Sequence, residues 1–545
     1  MKRRPSRIPP AGQGAAPRHT PAEQPADSPP RSPAAGRNAD TSRLPAGTET
    51  EPGWASSGGR GNGQATTGPA APEARQPLAA GTAIRRWQSL AVILIAVLMA
   101  QFDLFVVNVA APSIQAGLHA TPASIQTAVG AYSLTYGAFL ITGGRLGDAF
   151  GQAFMLRIGM VLFAASSVLC AISQTSIELI AGRVLQGACA ALMVPQVLAL
   201  VTRLFPVSER RVATSWFGVT LGLGAVLGQS LGGVLVSHSP FGYGWRTIFL
   251  IVVPLSLAAS IGVARFLPGR PQGRTVAADP VGLTGFSATL LLLFACLTLL
   301  PDNGWPPWDW ALVAAAGCTG AATIWWEKIT SRRNGNPIID TVLFGNRTFQ
   351  IGLLVNAAYF LAFGGFLFAM TFTLQNGIGE TAEQSGLTFV PQGIAFAIAS
   401  LIGVRLANRL GSRLITVGAA ASTLACGLLL IQCYTGGIRL GPAHLLPIMA
   451  LLGIGNGLAI PAMIASILQI VPRASSGTAS GILTTTQQVA MAFGVAIFGS
   501  ILAASVRHSP TGQAFIHGLA IDLVIATVLL GAGGLGSCFL PRQHQ

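Results

Sequence analysis

GGRLGDAFG, Gly143 to Gly151, is a short charged break between two long apolar runs. GVRLANRLG, Gly403 to Gly411, is a weaker copy of it 260 residues later. Arg145 and Leu146 align with Arg405 and Leu406, Asp148 with Asn408, and Gly151 with Gly411. A polar segment that recurs once, each time between apolar runs, points to a duplicated bundle of membrane helices.

Composition agrees with that reading. Of 545 residues, 51% are hydrophobic and only 9% charged, with a mean hydropathy of +0.59. Soluble domains have roughly a quarter of their residues charged. A chain this poor in charge cannot cover itself with water-facing groups, so its outer surface is expected to face lipid. The seven Cys lie within or at the ends of apolar runs and form no CxxC pair. They read as small buried hydrophobes, with no disulfide and no metal site expected. The net charge of +15 has no dense basic face with interleaved aromatics, so nucleic acid is not an expected partner.

Residues 1–86 are rich in Pro, Gly, Ala, Ser and Thr and are expected to form a disordered cytoplasmic tail. Met1 to Gln88 contains no apolar core of a secretory signal. Beyond the tail, a helix crossing about 30 Å of hydrocarbon needs about 20 apolar residues. Fourteen candidate spans follow, at 88–111, 123–144, 154–173, 177–201, 211–237, 247–267, 281–300, 309–327, 348–374, 384–406, 414–435, 443–469, 476–503 and 518–540.

Charge placement tests that count. If the tail is cytoplasmic, loops after even-numbered spans are cytoplasmic too. They hold Arg145, Arg157, Arg203, Arg210, Arg211, Arg265, Arg270, Arg274, Lys328, Arg332, Arg333, Arg347, Arg405, Arg409, Arg413 and Arg473. The opposite loops hold Arg246, Arg439 and Arg507, with Glu178, Asp302, Asp309, Glu380 and Glu383. This bias follows the positive-inside rule and puts both termini in the cytoplasm. One miscounted span would reverse it downstream.

The expected architecture is an all-α integral membrane protein of fourteen transmembrane helices. An N-terminal six-helix bundle (87–268) and a C-terminal one (347–540) flank a linker with two extra helices (269–346). A short tail, 541–545, ends the chain. Paired repeats with a site near the midplane at their interface are a transporter architecture.

Five stretches resemble the major facilitator superfamily, and within it the fourteen-span drug:proton antiporter family. Gly144, Leu146, Asp148 and Gly151 stand where that superfamily carries G-x-L-a-D-r-x-G-r-k between its second and third spans. FDLFVVNVAAPSI (Phe102–Ile114) is similar to the first-span motif, an acid followed by vNvAlP. RVLQGACAA (Arg183–Ala191) is similar to the fourth-span R-x-x-q-G-x-x-a-A. GVTLGLGAVLGQSLGG (Gly218–Gly233) with WRTIFLIVVP (Trp245–Pro254) resembles the fifth- and sixth-span signature. GNGLAIPA and SGTASGILTTTQQVAMAFGVAIFG resemble the last spans. Two departures stand out. Ala149 and Gln152 replace basic residues of the loop motif. Gln229 stands where the fifth-span G-P-x-x-G-G has its helix-bending Pro.

Asp103 lies inside the first span and Arg183 inside the fourth. Each buried charge costs at least about 2.5–3.5 kcal/mol, so such residues face a cavity or a partner. Elsewhere the spans read as nearly charge-free. The resemblance implies proton coupling at these positions, with Asp103 the proton carrier and Arg183 tuning it. A fixed structural ion pair is the competing reading. Gly144, Arg145, Asp148 and Gly151 are assigned to a gating loop that holds the two halves together. Gly224, Gly228, Gly232 and Gly233 form a fifth-span packing motif, with small-xxx-small spacing among them. Asn108, Tyr136, Gln186, Asn356, Tyr359, Gln487 and Gln488 are candidate cavity-lining residues, each with helix–helix hydrogen bonding as the alternative. Tyr132, Gln196, Gln375 and Asn456 join that wider set. His119, His238, His444, His508 and His517 fall in or beside outer loops, as solvated or pH-sensing groups.

The expected function is a proton-coupled exporter of small amphiphilic molecules, monomeric and in the plasma membrane, driven by the proton gradient and without a cofactor. A uniporter or importer is the alternative within transport. A membrane enzyme is disfavoured by the lack of an HExxH cluster or a gathered Ser/His/Asp set. A sensor would need an extramembrane domain that the tail does not supply. No GK[ST] phosphate loop is present.

Overall fold

The structure is a computed structural model. It describes residues 83–267, 279–299, 307–332, 343–436, 441–471, 476–507 and 509–539. The expected tails lie outside these residues, apart from 83–86. So do Arg270, Arg274, Asp302, Arg333, Arg439, Arg473 and His508.

Sixteen α-helices make up the described residues: α1 (Ala83–Leu118), α2 (Pro122–Phe150), α3 (Gln152–Ile172), α4 (Ser176–Leu204), α5 (Val207–His238), α6 (Thr247–Leu250), α7 (Val252–Phe266), α8 (Pro280–Leu299), α9 (Pro307–Arg332), α10 (Arg347–Phe372), α11 (Ala382–Thr388), α12 (Val390–Leu410), α13 (Arg413–Gly436), α14 (Pro442–Gln469), α15 (Ser476–Val506) and α16 (Gly512–Gly536). They follow the fourteen expected spans in order, because two spans are each broken once by a proline. Pro254 cannot donate to Leu250, and the sixth span divides at Ile251 into α6 and α7. Pro391 has the same effect at Phe389, between α11 and α12. Among the described residues, eleven helical segments are long and apolar enough to cross a membrane.

The outward faces are apolar. Ile261, Leu354 and Val528 are each more than 60% exposed. In water such a surface would be costly, whereas acyl chains accept it.

The duplication is visible in the packing. In the first half α1 packs on α5, α2 on α4, α3 on α4 and α3 on α7. In the second half α10 packs on α15, α12 on α14, α13 on α14 and α13 on α16. These are the same pairings in the same order. The repeated motif ends alike in both halves: Gly151 holds φ 99° and Gly411 φ 53°, backbone that a residue with a Cβ rarely adopts.

The Gly143–Gly151 stretch differs from expectation in one respect. It is helical up to Phe150, and Gly151 alone separates α2 from α3. A 29-residue helix rises about 44 Å, well beyond the ~30 Å hydrocarbon core, so a charged turn can end it without breaking it.

At the other end, threonines start the returning helices. Thr121, Thr175, Thr381 and Thr511 cap α2, α4, α11 and α16 by accepting a backbone N–H. Thr381 and Gln384 form a full capping box.

The halves meet along α2–α15 and along α5–α11/α12. Thr485 Oγ1 donates to Gly137 O at 2.9 Å, and Ser500 Oγ to Gln126 Oε1 at 3.3 Å. The latches at the end away from Gly151 are Gln375 Nε2 to Val109 O at 2.9 Å and the Glu383 amide to Ser237 Oγ at 3.0 Å. Toward the Gly151 end the α5–α12 contact loosens. A Cβ at Gly222 would stand 3.7 Å from Phe396, and nothing lies within 4 Å of one at Gly218. Linker helix α8 straddles the seam. Its Phe294 packs on Gly130 of α2 and stacks on Phe493 of α15 at 6.5 Å, and Ser287 Oγ donates to Ala138 O at 3.3 Å.

Candidate functional site

Asp103 and Arg183 come together in the interior of the first half, both with 0% exposure. Arg183 Nη1 donates to Asp103 Oδ2 and also to Gln186 Oε1, the latter at 2.9 Å. Its Nε donates to Ala128 O of α2 at 3.3 Å. Gln186 sits one turn along α4 and donates through Nε2 to Asp103 Oδ1 at 3.1 Å and to Ser167 Oγ of α3 at 2.8 Å. Cys170 of α3 donates its S–H to Gln186 Oε1 at 3.3 Å.

The guanidinium lies 4.4 Å from the ring centroid of Tyr132, whose hydroxyl donates to Ala100 O at 2.9 Å. Four helices therefore converge on one charge pair. Low dielectric strengthens each of these contacts, and both carboxylate oxygens are satisfied. A proton arriving at Asp103 would break the attraction that holds Arg183. This is the chemistry the arrangement offers.

The second half holds a neutral counterpart on the equivalent spans. Tyr359 of α10 donates its O–H to Asn456 Oδ1 of α14 at 2.7 Å and lies 3.0 Å from Ser422 Oγ of α13. Ser422 also donates to Asn456, at 3.0 Å. Asp103, Ser167 and Gln186 occupy the first, third and fourth spans of their half; Tyr359, Ser422 and Asn456 occupy the same spans of theirs. Tyr359 and Asn456 border a small cavity together with Ala362, Phe363, Phe366, Cys426, Leu452, Ala526 and Leu530.

Among the other candidate lining residues, Asn356 and Gln487 bind helix to helix. Asn356 donates to Leu483 O at 3.3 Å and accepts from Gln487 at 3.2 Å, which joins α10 to α15. Asn108 donates to Leu104 O within its own helix. Gln488 is buried, with its Cβ 3.0 Å from where a Cβ at Gly137 would be. Tyr136 is buried with its ring 6.2 Å from that of Tyr132.

The Gly144–Gly151 turn is tied to α4 of its own half. Gln196 Nε2 donates to Gly143 O at 2.6 Å, and its side chain packs on Gly147. Asp148 is exposed and accepts from Gln152 Nε2 at 3.4 Å, while Gln152 Oε1 accepts from Arg203 Nη1 at 3.0 Å. Gln152, the replacement for a basic residue, thus relays between Asp148 and Arg203. Gly144 and Arg145 lie on the same last turns of α2, partly buried.

The fifth-span glycines face α1. A Cβ at Gly224 would stand 2.6 Å from Gln101 Cβ, and one at Gly228 2.7 Å from Phe102 O. Gly232 faces Val106, and Gly233 meets Ala382 of the other half. This ridge supports the turn of α1 that carries Asp103. No proline is present to bend α5, and Gln229 is buried.

Two expectations are corrected. The spans outside α1 and α4, read as nearly charge-free, are not without a buried ionisable group: Asp522 of α16 is 1% exposed. Its signal, an acid inside an apolar run, was open to sequence reasoning. The cysteines are also not uniformly buried, since Cys318 and Cys538 are exposed.

The Major Facilitator Superfamily family model matches residues 93–495. The chain is 34% identical over 418 residues to a "Probable actinorhodin transporter" of Streptomyces coelicolor, covering 76% of this chain and 72% of that one. It is 31% identical to the "Cephamycin export protein CmcT" of Amycolatopsis lactamdurans, over 78% of this chain and 88% of the other. Among solved structures, a bacterial homolog of the human lysosomal transporter Spinster superposes with a TM-score of 0.61, at 16% identity, over 84% of this chain and 97% of that one.

Proposed function

The chain belongs to the major facilitator superfamily, and from that premise we propose that it is a proton-coupled exporter of small amphiphilic organic molecules. It is a multi-pass membrane transporter and not an enzyme. The carrying observation is the fully buried Asp103–Arg183 pair, closed by Gln186, in the interior of the first half. Asp103 takes the proton. Its neutralisation frees Arg183, and the four helices joined there repack. A change of that kind is what rocks one half against the other around the α2–α15 seam.

Export and substrate class rest on the relatives, whose names describe transport or export of antibiotic-type metabolites. The driving force is the proton gradient, since one charge crossing the potential yields about 2.3 kcal/mol per 100 mV. Both termini lie in the cytoplasm, the protein works as a monomer in the plasma membrane, and the Gly144–Gly151 turn with its Asp148–Gln152–Arg203 relay acts in gating.

The test is resistance and efflux profiling across a chemical panel in a pump-deficient host, with a protonophore arm. Expected is lowered accumulation of a subset of compounds, abolished by the protonophore. Raised accumulation in intact cells overturns export, and efflux indifferent to the protonophore overturns proton coupling.

A further inference from the structure

Asp522 stands apart from every other membrane-embedded acid described above. It lies ten residues into α16, about 15 Å along the helix, near the middle of a ~30 Å core. It is buried, and neither carboxylate oxygen has a hydrogen-bond partner. Asp103, by contrast, has both oxygens bonded.

The surroundings supply no countercharge. α16 packs on α10, α13, α15 and the π-helical turn Thr373–Ile378. Arg347 and Arg413 begin α10 and α13 at the Gly151 end, and Arg507 follows α15 at the other. α15 and the π turn contain no titratable side chain, and Glu380 lies beyond the turn. The titratable groups within the packed spans are Tyr359 on α10 and Cys426 and Cys433 on α13, all buried, with Tyr434 near the end of α13 exposed. On α16 itself, His517 is exposed. An isolated carboxylate in such a place carries a large desolvation cost, so the pocket accepts the neutral acid.

The location adds a route. Asp522, Ala526 and Leu530 are spaced four residues apart and share one face of α16. Ala526 and Leu530 line the cavity bordered by Tyr359 and Asn456. The acid is thus one turn from a cavity that already contains two hydrogen-bonding side chains.

We propose that Asp522 is a second proton-binding site, in the second half, reached through the Tyr359–Asn456 cavity. The first half holds its acid paired with Arg183 and Gln186, while the second holds its acid alone. A protonated water in the cavity gives its proton to a carboxylate oxygen of Asp522: an O–H bond breaks in the donor as one forms on the acid, and neutral water is left. The reverse transfer to cavity water at higher pH restores the carboxylate. The role in transport rests on the proton-coupled reading above; the binding of the proton does not.

The experiment is infrared difference spectroscopy of the full chain in liposomes, between acid and alkaline buffer, on the carbonyl stretch of a protonated carboxylic acid. The wild type shows a component of this band, lost reversibly as the pH rises, that is missing in Asp522→Asn, shifted in frequency in Asp522→Glu, and still present in Asp103→Asn and in Glu380→Gln. Spectra of the wild type and Asp522→Asn that are identical at every pH, or a difference between them that does not change with pH, overturn the site. Protonophore-sensitive efflux is a separate measurement, so failure of proton coupling and failure of this site are distinguishable.

Discussion

Arg183 of α4 and Asp103 of α1, 80 residues apart in the chain, form a charge pair with no exposure to solvent at either side chain. Gln186 binds both members. Removing one partner strands the other charge, which costs about 3–5 kcal/mol at a buried pair. Arg183→Met is therefore expected to lower the thermal unfolding temperature of the purified protein markedly. The double variant Asp103→Asn with Arg183→Met should recover most of that loss while still failing to export in a protonophore-sensitive manner. If the double variant exports like the wild type, the pair is structural only.

The fold was largely legible because membrane helices leave a coarse signal. Runs of about 20 apolar residues and one repeated motif sufficed for an all-helical, many-span membrane chain of the superfamily's fold. The helix breaks at Ile251 and Phe389 follow from Pro254 and Pro391 and were also open to reading. Side-chain partners were not. Asp103 and Arg183 stood out as charges in apolar runs, but Gln186 as the residue that closes them depends on the rotation of α4 against α1 and α3. Asn356, Tyr359 and Gln487 look the same in sequence whether they line a cavity or join helices. Here all three join helices, and Tyr359 also borders the cavity. In the sequence Gln152 stands simply in place of a basic residue; only the approach of Arg203 makes it a relay.

That relay has a measurable consequence. Gln152 donates to Asp148 and accepts from Arg203, so Gln152→Ala breaks both bonds at once. Each bond is worth about 0.5–1.5 kcal/mol. Export rate is expected to fall several-fold with little change in unfolding temperature, because the site is at the helix end. Asp148→Ala added to Gln152→Ala should reduce the rate little further. Fully additive losses would show that the two residues act independently.

The glycine ridge of α5 predicts a steric effect close to the charge pair. A Cβ at Gly228 meets the carbonyl oxygen of Phe102 at 2.7 Å, and backbone cannot move aside as a side-chain tip can. Overpacking of this kind costs about 1–3 kcal/mol. Gly228→Ala should therefore lower stability and export together, whereas Gly218→Ala, with nothing within 4 Å, should be silent. Unfolding temperature and efflux rate for the two variants, side by side, decide it.

Glu380 follows the π turn, outside the spans, and burial pushes its carboxyl above the ordinary glutamate range. The folded protein thus holds this proton more tightly than the unfolded chain does. Stability is fullest below the unfolded-state pKa and falls as pH rises through the folded one. Glu380→Gln removes that loss. The expected result is a variant matched to the wild type in acid and more stable than it at neutral and alkaline pH, read from unfolding temperatures across a pH series. A gap that opens on the acid side would reverse the assignment.

Ser237 and Glu383 join the halves at the end away from Gly151, with the Glu383 amide donating to Ser237 Oγ at 3.0 Å. Nearby, Gly233 meets Ala382 and Gly386 packs on the Gln229 carbonyl, so α5 and α11 are in backbone contact there. If the protein works by alternating access, as its proposed transport cycle implies, that contact opens once per cycle. Paired cysteines at 237 and 383, in a background with the exposed Cys318 and Cys538 replaced by Ser, should form a disulfide that keeps this end closed. Closure stops turnover without unfolding the protein. The expected outcome is loss of export under oxidising conditions, full return with reductant, and no redox effect in either single-cysteine variant. Export that continues with the cross-link formed, verified by mass spectrometry, would mean that this end does not part during transport and that the halves rock about another seam.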